Sequence, residues 1–441
     1  MVKIHKISGF PELLPNEKLM EDRIISSIKS IFELYGFSPI ETRAVEPISY
    51  LSGHGDDKEI FAIRRATDDS SSSTEEQLGL HFDLTLPFAR YVAENFSKIK
   101  FPFKRYQLQK VWRGERPQRG RFREFYQFDL DVIGAGELPL AAEAEILTVF
   151  AEVFAKFNIG KIKISVSNRK ILYGALEASN IPLSQFPKVF TVVDKIHKIG
   201  HAKVASELSF LSQKTVDLIL ELAQINCAPA ELKNVISKYQ LMAENLERGV
   251  EELDLVFSLI PINLVELFKV DFSMVRGLAY YTGTVFETFV ENHEEFGSIA
   301  SGGRYEDLAS RFIDQKLPGC GGSIGLTRLV SLILENNLID VSRVSVTDVV
   351  VTVESEERRQ LANLVAAILR ENGLNVEVYL KPIKLGKQIE YAEAKSANWV
   401  FFLPITKDSK IGIKDLKTKE QQEIAFDSLP KWARQMQNLP K

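Results

Sequence analysis

The stretch that decides the fold runs from Trp112 to Gly134, WRGERPQRGRFREFYQFDLDVIG. Its second half alternates: Tyr126, Phe128, Leu130 and Val132 are apolar, and Gln127, Asp129 and Asp131 between them are polar. Strand side chains point to opposite faces in turn, so the apolar set can meet a core while the polar set lines a second face. The strand expected before it, Phe103–Arg113, carries Arg105, Gln107, Gln109 and Arg113 at one parity, and an earlier one, Gly79–Thr85, carries His81, Asp83 and Thr85. Three polar faces either turn to water or form the floor of a polar ligand site. Between the two long strands lie Arg113, Arg116, Arg119, Arg121 and Arg123, opposed by Glu115 and Glu124. Guanidinium groups stay charged and bind phosphate bidentately, so this loop suits a polyphosphate or an RNA terminus, the plain alternative being a solvated charge run.

Upstream, Ile24, Ile25, Ile28, Ile31 and Phe32 recur near helical spacing, which predicts a helix over Glu17–Tyr35 with Gly36 at its stop. A strand over Phe37–Val45 follows, then a pair, Phe61–Ala66 and Gly79–Thr85, around the polar tip DDSSSSTEE that includes Ser70–Ser73. Helices are expected at Pro87–Phe96 and Ala141–Phe157, and a strand at Lys161–Ser167. From Arg169 to Pro261 the texture changes to short amphipathic helices, with the character of an insertion.

Strands resume at Lys269 and run through MVRGLAYYTGTVFETF, where Arg276 could stabilise charge at a phosphorus centre and the Tyr280 and Tyr281 hydroxyls could orient a polar ligand. In ASGGRYEDL, Gly302 and Gly303 read as a sharp turn. PGCGGSIGLTRLV reads as a glycine-rich turn entering a helix, with Arg328 in its first turns; it is neither a Walker A loop nor a GxGxxG fingerprint. The last stretch alternates strands (VTDVVVTV, NVEVYL, NWVFFLP, KIGIKDL) with helices (Glu356–Asn372, Leu385–Lys395), which predicts a small α/β domain with a largely parallel sheet beyond a linker at Asp340–Thr347.

Bulk numbers exclude rather than select. The 441 residues carry 55 basic and 59 acidic side chains, a formal net charge of −4, so any nucleic-acid surface must be local. Cys227 and Cys320 are far apart and form no CxxC metal pattern. The N-terminus has no signal-like apolar core and no stretch approaches a membrane span, so a cytoplasmic protein with no membrane partner is expected.

Together these segments resemble class II aminoacyl-tRNA synthetases, and specifically the histidyl-tRNA synthetase family. GFPELLPNE with the elements after it looks like the family's entry and motif 1, WRGERPQRGRFREFYQFDLDVIG like motif 2, and GCGGSIGLTRLV like motif 3. RGLAYYTGTVFE and SGGRYEDL resemble the two histidine-specific segments, HFDLTLPFARY the amino-acid-binding strand, and KLGKQIEYAEAKSANWVFFL the anticodon-binding unit. The resemblance implies an α+β catalytic domain, an antiparallel sheet flanked by helices, in two parts (1–168 and 263–338). It also implies a helical insertion (169–262) and a C-terminal α/β anticodon-binding domain (345–441).

Its implied activity is ATP-dependent activation of L-histidine to histidyl-adenylate, with Mg2+, and transfer to the 3′ end of tRNA(His), in a homodimer. Asp83, Thr85 and Gln127 would hold the α-amino group; Asp131 and Tyr280 would read the imidazole, with Tyr281 lining the pocket. Arg113 would contact the α-phosphate, Arg121 and Arg328 the distal phosphates, and Arg276 would act as electrophile, with no side chain assigned to a metal. Arg116, Gln118 and Arg119 would touch the tRNA acceptor end. The sequence departs from the family pattern at Arg43, commonly proline, at Ala279, commonly acidic, and in the shorter carboxylates Asp83 and Asp131. A synthetase-like paralogue, the histidine-sensing regulatory subunit of ATP phosphoribosyltransferase, is the alternative; it typically lacks the anticodon-binding domain.

Overall fold

In the computed structural model, residues 3–52, 57–66, 77–239, 243–274, 281–403 and 410–437 are described. The expected first helix runs from Pro15 to Leu34. The strands that follow are β1 (Ser38–Pro39), β2 (Val45–Pro47), β3 (Ala62–Ile63), β4 (Leu78–Leu80), β5 (Phe103–Trp112) and β6 (Glu124–Ile133). After them come β7 (Ile162–Asn168), β8 (Asn226–Cys227), β9 (Phe268–Asp271), β10 (Tyr281–Val290), β11 (Ala300–Tyr305) and β12 (Gly319–Gly325). Among the described residues, nine strands form one sheet in the order β1-β5-β6-β12-β11-β10-β7-β9-β8.

The run from β5 to β7 is antiparallel throughout, but β1 lies parallel to β5 and β9 parallel to β7. The sheet is therefore mixed, not wholly antiparallel. Long connections separate both parallel pairs in sequence, which is what parallel pairing needs. The single strand expected at Phe37–Val45 is instead two short ones. β1 ends at Pro39, which can donate no ladder bond, and β2 joins a separate three-stranded sheet, β2-β4-β3.

The alternation in β6 works as the sequence predicts. On one face Phe32 of the first helix meets the Phe128 ring at 5.1 Å and the Tyr106 ring at 6.0 Å. The helix Ala141–Lys156 seals the same side of the sheet through Phe150, whose ring lies 5.0 Å from Phe286. Ile146, Leu147, Val149, Phe150 and Phe154 are all buried, and each contributes about 1.5–3 kcal/mol of apolar burial. The polar face is buried as well, because the helix Thr85–Glu94 and the turn before it lie over it: the guanidinium carbon of Arg105 sits 4.1 Å from the Phe88 ring centroid.

Between β7 and β9 the chain is mainly short helices, from Arg169–Ala178 to Glu244–Ser258, with an apolar cluster that includes Phe186, Val189, Val193, Val204, Leu208 and Ile219. The C-terminal sheet contains β13 (Val349–Val351), β14 (Val376–Val378), β15 (Trp399–Phe402), β16 (Ile411–Asp415) and β17 (Gln421–Ile424), ordered β14-β13-β15-β16-β17. Helices Arg359–Glu371 and Leu385–Ala394 carry the crossovers of its parallel part; β15-β16-β17 is antiparallel, so this sheet too is mixed where a largely parallel one was expected. A closing helix, Leu429–Gln437, places Trp432 against Trp399 and Phe401 at 5.2 and 5.0 Å.

The chain divides into two compact units, residues 1–11 with 26–339 and residues 12–25 with 340–441. Among the described residues no helix is long and apolar enough to cross a membrane. Both cysteines are free thiols, Cys320 buried and Cys227 partly so.

Candidate active site

Register assembles a polar floor. Pairing of β5 with β6 sets Arg105 opposite Asp131, Gln107 opposite Asp129 and Gln109 opposite Gln127; pairing of β12 with β6 sets Gly321 opposite Asp131 and Ser323 opposite Asp129. Arg105, wholly buried, brings Nη2 to 2.6 Å from Asp131 Oδ2 and 3.7 Å from Asp129 Oδ2. Its Nη1 donates to Gln107 Oε1 at 3.3 Å. The Tyr305 hydroxyl donates to Asp131 Oδ1 at 3.1 Å, and Gln127 Nε2 donates to Ser323 Oγ at 3.1 Å.

The glycine-rich segment that reads as a turn in the sequence is strand β12. Its glycines make space instead of bending the chain. A β-carbon on Gly321 would lie 2.1 Å from Asp131 Oδ1, and one on Gly319 would lie 2.2 Å from the Tyr305 ring. The floor can be built of large polar groups because the strand between them has no side chains in the way. Gly302 and Gly303 likewise lie within β11, not in a sharp turn.

Asp83 and Thr85 do not share a strand face with His81, as alternation suggested. The strand ends at Leu80, and Asp83 Oδ1 accepts from Leu86 N at 3.2 Å, turning the backbone into the helix that begins at Thr85. A short side chain that bonds to the backbone three residues on competes with the sheet ladder, and Pro87 is tolerated in a first helical turn. His81 is buried, its Nε2 donating to Lys110 O at 2.7 Å, which makes it a structural residue.

Asp83 nonetheless reaches the floor. Burial pushes its carboxyl up to about 6, against the pull of Arg113 and Arg105. Burial pushes Asp129 to about 7; Arg105 opposes this, while Asp131 and Asp83 add repulsion. Asp131 is raised by burial and restrained by Arg105 and Tyr305. Asp83 Oδ2, Gln127 Oε1 and Asp129 Oδ1 are buried with no hydrogen-bond partner among the described residues.

Past the end of β5 the chemistry turns cationic. Arg113 Nε donates to Phe82 O at 3.0 Å, with its guanidinium 5.1 Å from the Phe125 ring. Gln118 and Arg121 exchange backbone hydrogen bonds, and Arg121 Nη1 lies 3.2 Å from Glu115 Oε2. Arg328, in the helix Leu326–Glu335, donates from Nε to Gly120 O at 2.7 Å. Burial, with repulsion from Arg121 and Arg113, lowers Arg328 to about 10. Three arginines that repel one another are poised for a polyanion.

Arg119 points elsewhere, to Glu295 at 3.2 Å and Glu335 at 3.0 Å, while Arg116 and Gln118 are exposed in the loop. Tyr281 opens β10, packs with the cluster around Phe82 and Tyr305, and accepts from Arg169 Nη1 at its carbonyl, 2.8 Å away. Arg276, Ala279 and Tyr280 lie outside the described residues, as does the Ser70–Ser73 tip. Arg43 pairs with the buried Glu46 at 2.7 Å. Sequence reasoning gave no role to Arg105, Asp129 or Tyr305. Parity placed the first two on the polar face, but nothing local signalled Tyr305, which reaches the floor through β11-β12-β6 pairing.

Residues 9–329 match the family model described as histidyl-tRNA synthetase, and residues 348–436 match the anticodon binding domain. A histidine–tRNA ligase of Thermobifida fusca is 43% identical over 423 residues, covering 95% of this chain and 96% of that protein. The crystal structure of histidyl-tRNA synthetase from Nostoc sp. PCC 7120 is similar with a TM-score of 0.87 and 35% identity, covering 99% of this chain and 100% of that one. A Bacillus halodurans structure, described as an ATP phosphoribosyltransferase regulatory subunit/histidyl-tRNA synthetase, shares the fold at a TM-score of 0.76 and 19% identity, covering 92% of this chain and 100% of that one. With the family model spanning most of its length and a relative aligned nearly end to end, this chain belongs to the histidyl-tRNA synthetase family of class II aminoacyl-tRNA synthetases.

Proposed function

We propose that the chain is a histidine–tRNA ligase that activates L-histidine with ATP on the β5–β6 floor and transfers it to the 3′ end of tRNA(His). One observation carries the reading: buried carboxylates around Asp131 and an arginine cluster around Arg113 occupy opposite ends of one strand pair. Amino acid and nucleotide would lie along it end to end.

In this reading Asp83, Thr85 and Gln127 hold the α-amino group. Asp131, oriented by Arg105 and Tyr305, accepts from an imidazole N–H, with Tyr280 as the second imidazole contact and Tyr281 lining the slot. A slot built to hydrogen-bond an imidazole rejects isosteres that leave its buried groups unpaired. Arg113 contacts the α-phosphate and the substrate carboxylate, and Arg121 and Arg328 take the distal phosphates. The substrate carboxylate attacks the α-phosphorus in line, forming a P–O bond as the bond to pyrophosphate breaks. No protein nucleophile is required, so catalysis is positioning plus charge stabilisation, with Arg276 as electrophile.

Magnesium enters as the companion of the ATP phosphates. Among the described residues no group of three or more His, Cys, Asp or Glu side chains is arranged to hold a metal. The terminal ribose hydroxyl of tRNA then attacks the adenylate carbonyl and AMP leaves. Arg116, Gln118 and Arg119 meet the acceptor end, the helical block 169–262 clasps the acceptor stem, and the domain 345–441 reads the anticodon. A cytoplasmic homodimer is the expected form.

The test is histidine-dependent ATP–pyrophosphate exchange followed by charging of tRNA. Histidine binding without exchange would favour the regulatory-subunit alternative, against which the anticodon-binding domain at 348–436 already weighs.

A further inference from the structure

Asp129 has no part in the roles above, yet its surroundings are those of a ligand-facing group. It is 2% exposed and shares a face of β6 with Gln127 and Asp131, and its Oδ1 has no hydrogen-bond partner among the described residues. Asp131 differs: one oxygen accepts from Tyr305 and the other lies 2.6 Å from Arg105, which stands 3.7 Å from Asp129. Arg105 therefore serves Asp131 first and leaves Asp129 under-compensated.

Two more acceptors share this condition, Asp83 Oδ2 and Gln127 Oε1. Asp83 is close enough to Asp129 for the two charges to repel. Gln127 and Asp129 converge on Ser323, whose hydroxyl accepts from Gln127 and whose proximity favours the charged Asp129 carboxylate. Buried acceptors without donors are rare in native proteins, and three on one floor call for an explanation; the unpartnered donors beside them, Arg105 Nε and Nη2, belong to the guanidinium that already faces Asp131. Their number and charge specify the missing donor. A primary ammonium presents three N–H groups and a positive charge, whereas an imidazole has at most two. Three buried carboxylates face two guanidinium groups, the wholly buried Arg105 and the partly buried Arg113, so the carboxylates outnumber the cations.

We propose that Asp129 is a further substrate-positioning residue, which with Asp83 and Gln127 accepts a hydrogen bond from the α-ammonium group of the amino-acid substrate and leaves the imidazole to Asp131. The inference rests on the reading that this slot takes histidine. It explains how a chain with a short Asp83 still grips the amine: a second carboxylate closes on it from β6.

The experiment compares binding of histidinol, which keeps the amine and the imidazole, with imidazolepropionate, which lacks the amine, to the full chain and to Asp129→Asn. The near-isosteric change should weaken histidinol by about tenfold or more, the scale of one charge-assisted hydrogen bond, and leave imidazolepropionate within about twofold. Equal weakening of both ligands, or of neither, overturns the proposal, since an imidazole contact or a purely structural role predicts one of those results. A measurement on the unmodified chain guards against a variant that does not fold. Calorimetry near neutral pH in two buffers, corrected for the ionisation of each ligand's own imidazole, should show more protons released on binding histidinol than imidazolepropionate, because only the ammonium requires Asp129 ionised; equal corrected release overturns the proposal too. If the unmodified chain binds neither histidine nor histidinol, the functional reading itself fails; if it binds both and the loss ignores the amine, only this inference fails.

Discussion

Replacing Arg105 by methionine tests whether the floor is held by charge or by packing. Methionine keeps most of the aliphatic length over Phe88 and removes the guanidinium. Arg105 is fully buried and the side chains of Asp129 and Asp131 are 4% and 5% exposed, so solvent screens this group little. Removing one partner of a buried pair costs about 3–5 kcal/mol when the other charge remains. Here the charge need not remain, because Arg105 is what pulls both carboxyls down, and without it they take up protons more readily.

A carboxyl raised in the folded state holds a proton that the unfolded chain releases, so stability falls as pH rises toward the folded value. The variant raises these values further and must lose ground to the parent as pH increases, by up to about 1.4 kcal/mol for each pH unit of displacement. Urea unfolding of both proteins at about pH 5.5 and about pH 8 measures this. We expect about 1–3 kcal/mol of destabilisation in acid, the scale of lost hydrogen bonds, and clearly more in base. An identical loss at both pH values would falsify the charge argument and reduce Arg105 to a packing residue.

Other expectations follow from the same geometry. Gly321→Ala puts a methyl 2.1 Å from Asp131 Oδ1 and 2.5 Å from Leu130 O, so the carboxyl must move by about 1 Å; histidine kcat/KM in the exchange assay should fall about a hundredfold with ATP KM held, and an unchanged value refutes the placement of Asp131. Trp432→Ala empties the C-terminal core at a cost of about 3–5 kcal/mol, and should abolish tRNA charging while exchange persists; parallel loss of both would mean that activation depends on that unit. Glu295→Gln with Glu335→Gln releases Arg119 from exposed ion pairs worth about 0.2–1 kcal/mol each. Thermal stability should hold and the KM for tRNA should fall; a rise would remove Arg119 from the acceptor contact.

Much of this arrangement could be read from period-two patterning and arginine spacing. Tyr126 to Val132 predicted both faces of β6, and the arginines between β5 and β6 marked its cationic end. Alternation misled at His81, Asp83 and Thr85, because a carboxylate capping Leu86 outbid the strand, a contest decided by one hydrogen bond. It failed again at Gly319–Gly325, since glycines signal turns in isolation and only neighbouring strands show what the empty space is for. The parallel pairs β1-β5 and β7-β9 depend on contacts remote in sequence, which no local pattern encodes. Tyr305 is invisible for the same reason.

The side-chain-poor strand β12 has a consequence for how the slot can change. Four of its seven residues, GCGGSIG, are glycine, each about 0.5–1 kcal/mol less favourable than alanine in a strand interior. Such a ribbon persists only because ladders from β6 and β11 grip both of its edges. Substitution of its glycines can fill space beside the floor but never open it, since glycine has nothing left to trim. Room for larger groups there must therefore come from Ser323 or from the flanking strands.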